Sequence, residues 1–166
     1  METLIKQLEK RPVSIERLST VVPSHTKCIL YEDLKAPLFP DGVRCLIILM
    51  ESKTEEIGHF VLVINRPGGV EYWSSYGHRP EYAIKITGND RRLLDLMGKK
   101  YSVNRYKFQA EEDTETCAMH TLSRAVFWGM PNKKYWNLFR FAVHLRSPDD
   151  VVSLMTLLHR ELMGEI

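Results

Sequence analysis

Apolar positions change their period several times along this chain, and each change marks a predicted element. Glu2 to Glu9 carries the amphipathic spacing of a short helix. SIERLSTVV follows as a second helix, with Ser14 as N-cap and Glu16 read as its capping-box partner. PSHTKCILYEDL predicts a turn, a short strand and an acidic stretch, and APLFPDG a loop punctuated by Pro and Gly. CLIILM (45–50) is apolar without alternation, the pattern of a buried strand, and ESKTEE is a solvated loop. HFVLVIN (59–65) and VEYWSS (70–75) flank RPGG and predict a hairpin. RRLLDLMG (91–98) predicts a helix stopped by Gly, and YSVNRYKF (101–108) alternates as a strand.

The last third is helical. Met119, Leu122 and Val126 recur at helical spacing, as do Ala118 and Ala125, so this helix is expected to be central and buried on two sides. Thr114 or Thr116 is its expected cap, and Gly129 and Pro131 end it. KKYWNLFRFAVHLRS and SPDDVVSLMTLLHREL are two further amphipathic helices, the second capped by Ser147 or Asp149 with Pro148 in the first turn. The order of elements predicts an α+β protein with helices packed against one sheet.

Composition narrows the class. The 166 residues suit one domain spanning 1–166, able to bury a core without staples. Apolar residues make up 44% and charged residues 27%, and no apolar run reaches membrane-spanning length. The charged N-terminus has no signal-peptide core, so an intracellular, non-secreted protein is expected. A net charge of +2 is too mild to argue for nucleic acid. Cys28, Cys45 and Cys117 form no CxxC pair, which leaves no disulfide framework or zinc site but allows one reactive thiol. No metal or organic cofactor is expected.

Cys117 is the candidate thiol. At a helix start, the dipole and unsatisfied N–H groups stabilise a thiolate and can hold an oxyanion. The acidic run EEDTE before it opposes thiolate formation. A thiol nucleophile also needs a base. Six histidines are available. His120 shares the helix of Cys117, and one helix rarely aims both side chains at one reacting atom. His144 and His159 fall on amphipathic helices. His59 follows Gly58 and opens a strand at what reads as a sheet edge. If Asn65 pairs with Val70, His59 falls opposite Tyr76 and Ser74 is its diagonal neighbour, while Glu71 and Ser75 face the other side. A one-residue slip would reverse this and offer Glu71 instead.

The order Gly58-His59-Phe60, Tyr72-Trp73-Ser74-Ser75-Tyr76-Gly77, Gln109, Thr116-Cys117 and Arg124 resembles the adenovirus-type (adenain-like) cysteine proteases. The nearest likeness is to the capsid-maturation proteases of virophages and Polinton-like elements. It spans about residues 30 to 160 and includes SPDDVVSLMT, similar to the family's C-terminal helix. The resemblance implies a papain-like α+β fold with a mixed or antiparallel sheet and the nucleophile at the start of a central helix. It implies Cys117 as nucleophile, His59 as base, Gln109 as oxyanion donor, and position 74 as the third member. The family has an acid there, and this chain has Ser74; Ala118 stands where a Gly usually follows the nucleophile.

The implied activity is cleavage of viral capsid or structural proteins through a thioester, in the virion and infected host cell, with a narrow cleft for small residues such as Gly. A peptide or DNA activator would follow adenovirus relatives, and no membrane is involved. The same clan contains SUMO- and ubiquitin-like deconjugases, and a capsid-binding scaffold of weakened activity is the rival from another class. Trp73 and the 136–144 segment read more simply as core than as substrate groove.

Overall fold

A computed structural model describes residues 13–53, 58–109, 116–143 and 147–153. The helix expected at Glu2 to Glu9, the acidic run before Cys117 with Thr114, and His144 and His159 lie outside the described residues.

Five strands form one mixed sheet in chain order: β1 (Thr26–Leu30), β2 (Cys45–Glu51), β3 (Gly58–Arg66), β4 (Gly69–Trp73) and β5 (Tyr101–Val103). β2, β3 and β4 make an antiparallel meander, and β1 and β5 join its two sides in parallel. The chain is therefore α+β, as the order of elements predicts, with helices on both faces of the sheet. The apolar run of β2 shows why. Cys45 and Ile47 enter the cluster on one face, and Leu46, Ile48 and Met50 the cluster on the other. A strand covered on both sides has no polar face to alternate with.

One face carries α1 (Ile15–Val21), α4 (Cys117–Val126) and α5 (Asn132–Val143), packed on Phe60, Leu62, Ile64 and Trp73. The other carries the short 3-10 turn Tyr31–Asp33, α2 (Pro80–Thr87) and α3 (Arg92–Met97), packed on Val61, Val63 and Tyr72. Among the described residues no helix is long and apolar enough to cross a membrane.

The caps differ in detail from their sequence reading. Ser14 does cap α1, its hydroxyl accepting from the Arg17 N–H at 3.2 Å. Glu16, however, is the second helical residue and Arg17 the third, so the reciprocal half of a capping box is not encoded. Helix 148–153 is capped by Ser147, not Asp149. Ser147 Oγ accepts from the Asp150 N–H, and Asp150 Oδ2 accepts from the Ser147 N–H. Helix α2 was not anticipated, although Pro80 at its first turn and Gly88 at its end (φ +68) are ordinary boundary signals.

The hairpin forms in the expected register, Asn65 opposite Val70 and Arg66 opposite Gly69. Pro67 and Gly68 fill the turn, where Gly68 supplies the positive φ of +89. The predicted strand over 101–108 pairs only through Val103. Asn104 ends it by donating to the Ser74 and Tyr106 carbonyls and accepting from the Tyr106 N–H. That hooks the 104–109 segment to the end of β4. Gly77 makes the approach possible: at φ +71, a Cβ there would sit 3.0 Å from the Tyr106 carbonyl oxygen.

A buried ion cluster fixes α4 on the sheet. Arg124, fully buried, donates to Glu71 at 3.1 Å and to the Phe127 and Met130 carbonyls, and lies 5.0 Å from the Tyr135 ring centre. Arg66 binds the same Glu71 at 2.9 Å. A buried guanidinium is tolerable only with such a set of partners.

Candidate active site

His59 is the second residue of β3, and β3 is the central strand, not an edge strand. There it pairs with Met50 of β2, while β4 pairs with β3 only over Leu62–Arg66. His59 Nε2 lies 3.1 Å from Ser74 Oγ, and the ring packs tilted against Tyr76, with centroids 5.0 Å apart. Both neighbours follow from the hairpin register. Ser74 is held in turn, because its carbonyl accepts from the Gly77 N–H and its hydroxyl from the Tyr76 N–H. Glu71 faces the opposite side, spent on Arg66 and Arg124, so it does not replace the acid.

Gln109 is buried beside the same turn. Its N–H donates to the Ser75 carbonyl at 3.1 Å, and its Oε1 accepts from the Ser75 hydroxyl at 2.7 Å. The Ser75 hydroxyl and carbonyl together hold Gln109 beside the end of β4. Ser75 had no role in the sequence reading. Nothing in a single sequence links it to a residue 34 positions on.

Cys117 is the first residue of α4 and is 9% exposed. It packs in the cluster that holds Phe60, Trp73 and Phe108, the chain neighbours of His59, Ser74 and Gln109. The direction of α4 agrees. Arg124, near its C-terminus, meets Glu71 by the hairpin turn. Cys117, about 10 Å back along the axis, is thus toward the opposite end of β3, where His59 and Ser74 lie. Strand alternation puts Phe60 on the α4 face and His59 on the side of Val61 and Val63. The imidazole therefore belongs to the face of the sheet opposite to the one that α4 covers. Ala118 is buried in the same cluster as Cys117, so its methyl is part of the packing of α4.

The other two thiols are unsuited to nucleophilic work. Burial pushes both Cys28 and Cys45 up to about 11, with the Ser19 and Thr26 hydroxyls only partly offsetting it. Burial also lowers His59, to about 4, with a smaller push from His78. His59 is neutral at physiological pH and able to accept a proton.

His120 is fully buried between Phe108 and Phe139. Its Nε2 lies 3.0 Å from Asp149 Oδ1, and its Nδ1 has no hydrogen-bond partner. Burial lowers its pKa, and Asp149 opposes that. It is not bonded to Cys117, as the argument from one helix anticipates. Thr116 stands at the N-cap of α4 but makes no side-chain cap; its hydroxyl donates to the same Asp149 oxygen. Trp73 is fully buried against Phe108 and Tyr135, so it is core, while Trp136 stacks on Tyr106 and packs half-buried against the same cluster. Among the described residues no group of His, Cys, Asp and Glu could hold a metal ion.

No protein-family model matches the chain, and no curated protein matches it.

Proposed function

We propose that the chain is a papain-like, adenain-type cysteine endopeptidase that processes viral capsid or structural proteins. The observation that carries this reading is the His59–Ser74 hydrogen bond at the end of β3, at the end of the sheet toward which α4 presents Cys117. With Nε2 engaged by Ser74, Nδ1 is the nitrogen that would take the thiol proton. The sulfur attacks the scissile carbonyl. The oxyanion is held by the Gln109 side-chain amide, which Ser75 keeps buried beside the end of β4, and by the Cys117 N–H. His59 then protonates the leaving amine, and water hydrolyses the thioester. Ser74 orients the imidazole without adding negative charge, and the resting imidazole is neutral.

One feature favours a second reading, a capsid-binding scaffold of weakened activity. A base held near 4 with no acid beside it is a poor proton acceptor at neutral pH. Iodoacetamide labelling and a Gly-Gly aminocoumarin peptide separate the two. The protease reading expects labelling at Cys117 well ahead of Cys28 and Cys45, slowed by His59→Ala, and peptide cleavage abolished by Cys117→Ala. Labelling no faster than a model thiol, with no Cys117-dependent cleavage of the peptide or of co-expressed capsid protein, overturns it. Selective labelling by a ubiquitin vinyl sulfone would instead mark a deconjugase.

A further inference from the structure

Ser75 is fully buried, and among the described residues its hydroxyl has one hydrogen-bond partner, the Gln109 amide at 2.7 Å. A hydroxyl carries one proton and two lone pairs, whereas a side-chain amide donates at one end and accepts at the other. The pair can therefore bond in two ways. With Oε1 on Ser75, the hydroxyl proton has its acceptor. With the amide turned over, Nε2 donates to Oγ and the hydroxyl proton is left buried without an acceptor. A buried donor without a partner is costly, and an oxygen with a spare lone pair is less so.

The backbone repeats the tie. The Ser75 carbonyl accepts from the Phe108 N–H at 2.7 Å and from the Gln109 N–H at 3.1 Å. The preceding residue holds the other polar group of the site, because Ser74 Oγ lies 3.1 Å from His59 Nε2. Adjacent serines thus grip the amide and the imidazole, in a turn closed by the Gly77 N–H on the Ser74 carbonyl at 3.0 Å.

We propose that Ser75 is a positioning residue for Gln109: its hydroxyl proton selects the amide rotamer that keeps Oε1 on Ser75 and turns Nε2 away from the end of β4 as a donor. The role in catalysis rests on the proposed function; the selection of the rotamer does not. An amide turned over would present a carbonyl dipole where the proposed oxyanion forms. Ser74 and Ser75 then set the proposed base and the oxyanion donor from one dipeptide.

NOE spectra of the wild type read the rotamer directly. The Gln109 side-chain amide protons, assigned by their loss in Q109A, should show no strong NOE to the Ser75 β-protons. A strong NOE would put Nε2 on Ser75 and overturn the proposal. With the Gly-Gly aminocoumarin peptide, S75A should lower kcat about tenfold with KM unchanged, and Q109A about a hundredfold. The double variant should be no slower than Q109A, because Ser75 acts through that amide. Iodoacetamide forms no oxyanion, so Cys117 should label at the wild-type rate in S75A, which a general disturbance of the site would not allow. A wild-type kcat in S75A, losses that multiply in the double variant, or slowed labelling in S75A each overturn the proposal. The NOE pattern needs no folded S75A, so it decides the matter if alanine at this position does not fold. A wild type without Cys117-dependent turnover would sink the proposed function, while the NOE pattern would still decide the role of Ser75.

Discussion

Two buried histidines each lie within hydrogen-bond distance of a side-chain oxygen, and the one with a carboxylate is not the one proposed to react. His120 meets Asp149 at 3.0 Å, and His59 meets Ser74 at 3.1 Å. Residue type alone would choose the His–Asp pair. Position decides otherwise. His120 is enclosed by Phe108 and Phe139, and its second nitrogen has no partner. His59 lies at the end of a central strand and packs against Tyr76, which is half-buried. An acid beside a histidine is a structural device as readily as a catalytic one.

The largest expected effect breaks the comparison outright. His59→Ala should lower Cys117-dependent turnover by about a thousandfold, the scale of a lost general base. His120→Gln, which keeps a donor for Asp149, should leave turnover near wild type and lower the melting temperature instead. Steady-state rates and thermal melts of the two variants check this, and equal rate losses would remove the distinction.

Acid stability sharpens it next. Both histidines are held below the ordinary value of 6.5, so the unfolded chain takes up protons first as pH falls. The stability associated with neutral histidine is complete above about 6.5 and drains as pH drops toward the folded values. For His59, lowered to about 4, the loss amounts to roughly 3 kcal/mol. Urea midpoints at pH 7 and pH 4.5 should therefore differ less in His59→Gln than in wild type.

The smallest effect restores the acid that position 74 lacks. Ser74→Asp should raise the His59 pKa by about one to two units, because an adjacent carboxylate favours the imidazolium. The acid limb of the kcat/KM profile should move up with it. A limb that stays in place would mean that His59 does not report on position 74.

The half of the site that lies in the hairpin was legible because turn length and strand period fix it together. Counting from Pro67 and Gly68 sets the register, and the register sets Ser74 and Tyr76 beside His59. The flanking chemistry was not legible. Ser75 on Gln109 and Asp149 on Thr116 span 34 and 33 residues, and no local period connects them. Asp149 looked like a cap because acids at helix starts usually are. It is displaced from that role because Ser147 and Asp150 already satisfy each other. The two-sided cover of the sheet was encoded in the unbroken apolar run of β2, but that pattern says only that both faces are buried, not by which helices.

The meander has a consequence for the order in which the molecule assembles. His59 and Ser74 are 15 residues apart, whereas docking α4 through Arg124 on Glu71 closes 53. Loop-closure entropy alone makes the longer closure costlier by about 1 kcal/mol. The hairpin can thus set the imidazole and its hydroxyl partner before the thiol-bearing helix arrives. The nascent chain carries its proposed base ready-made and acquires its proposed nucleophile late, so the proposed thiol site is the last thing this fold completes.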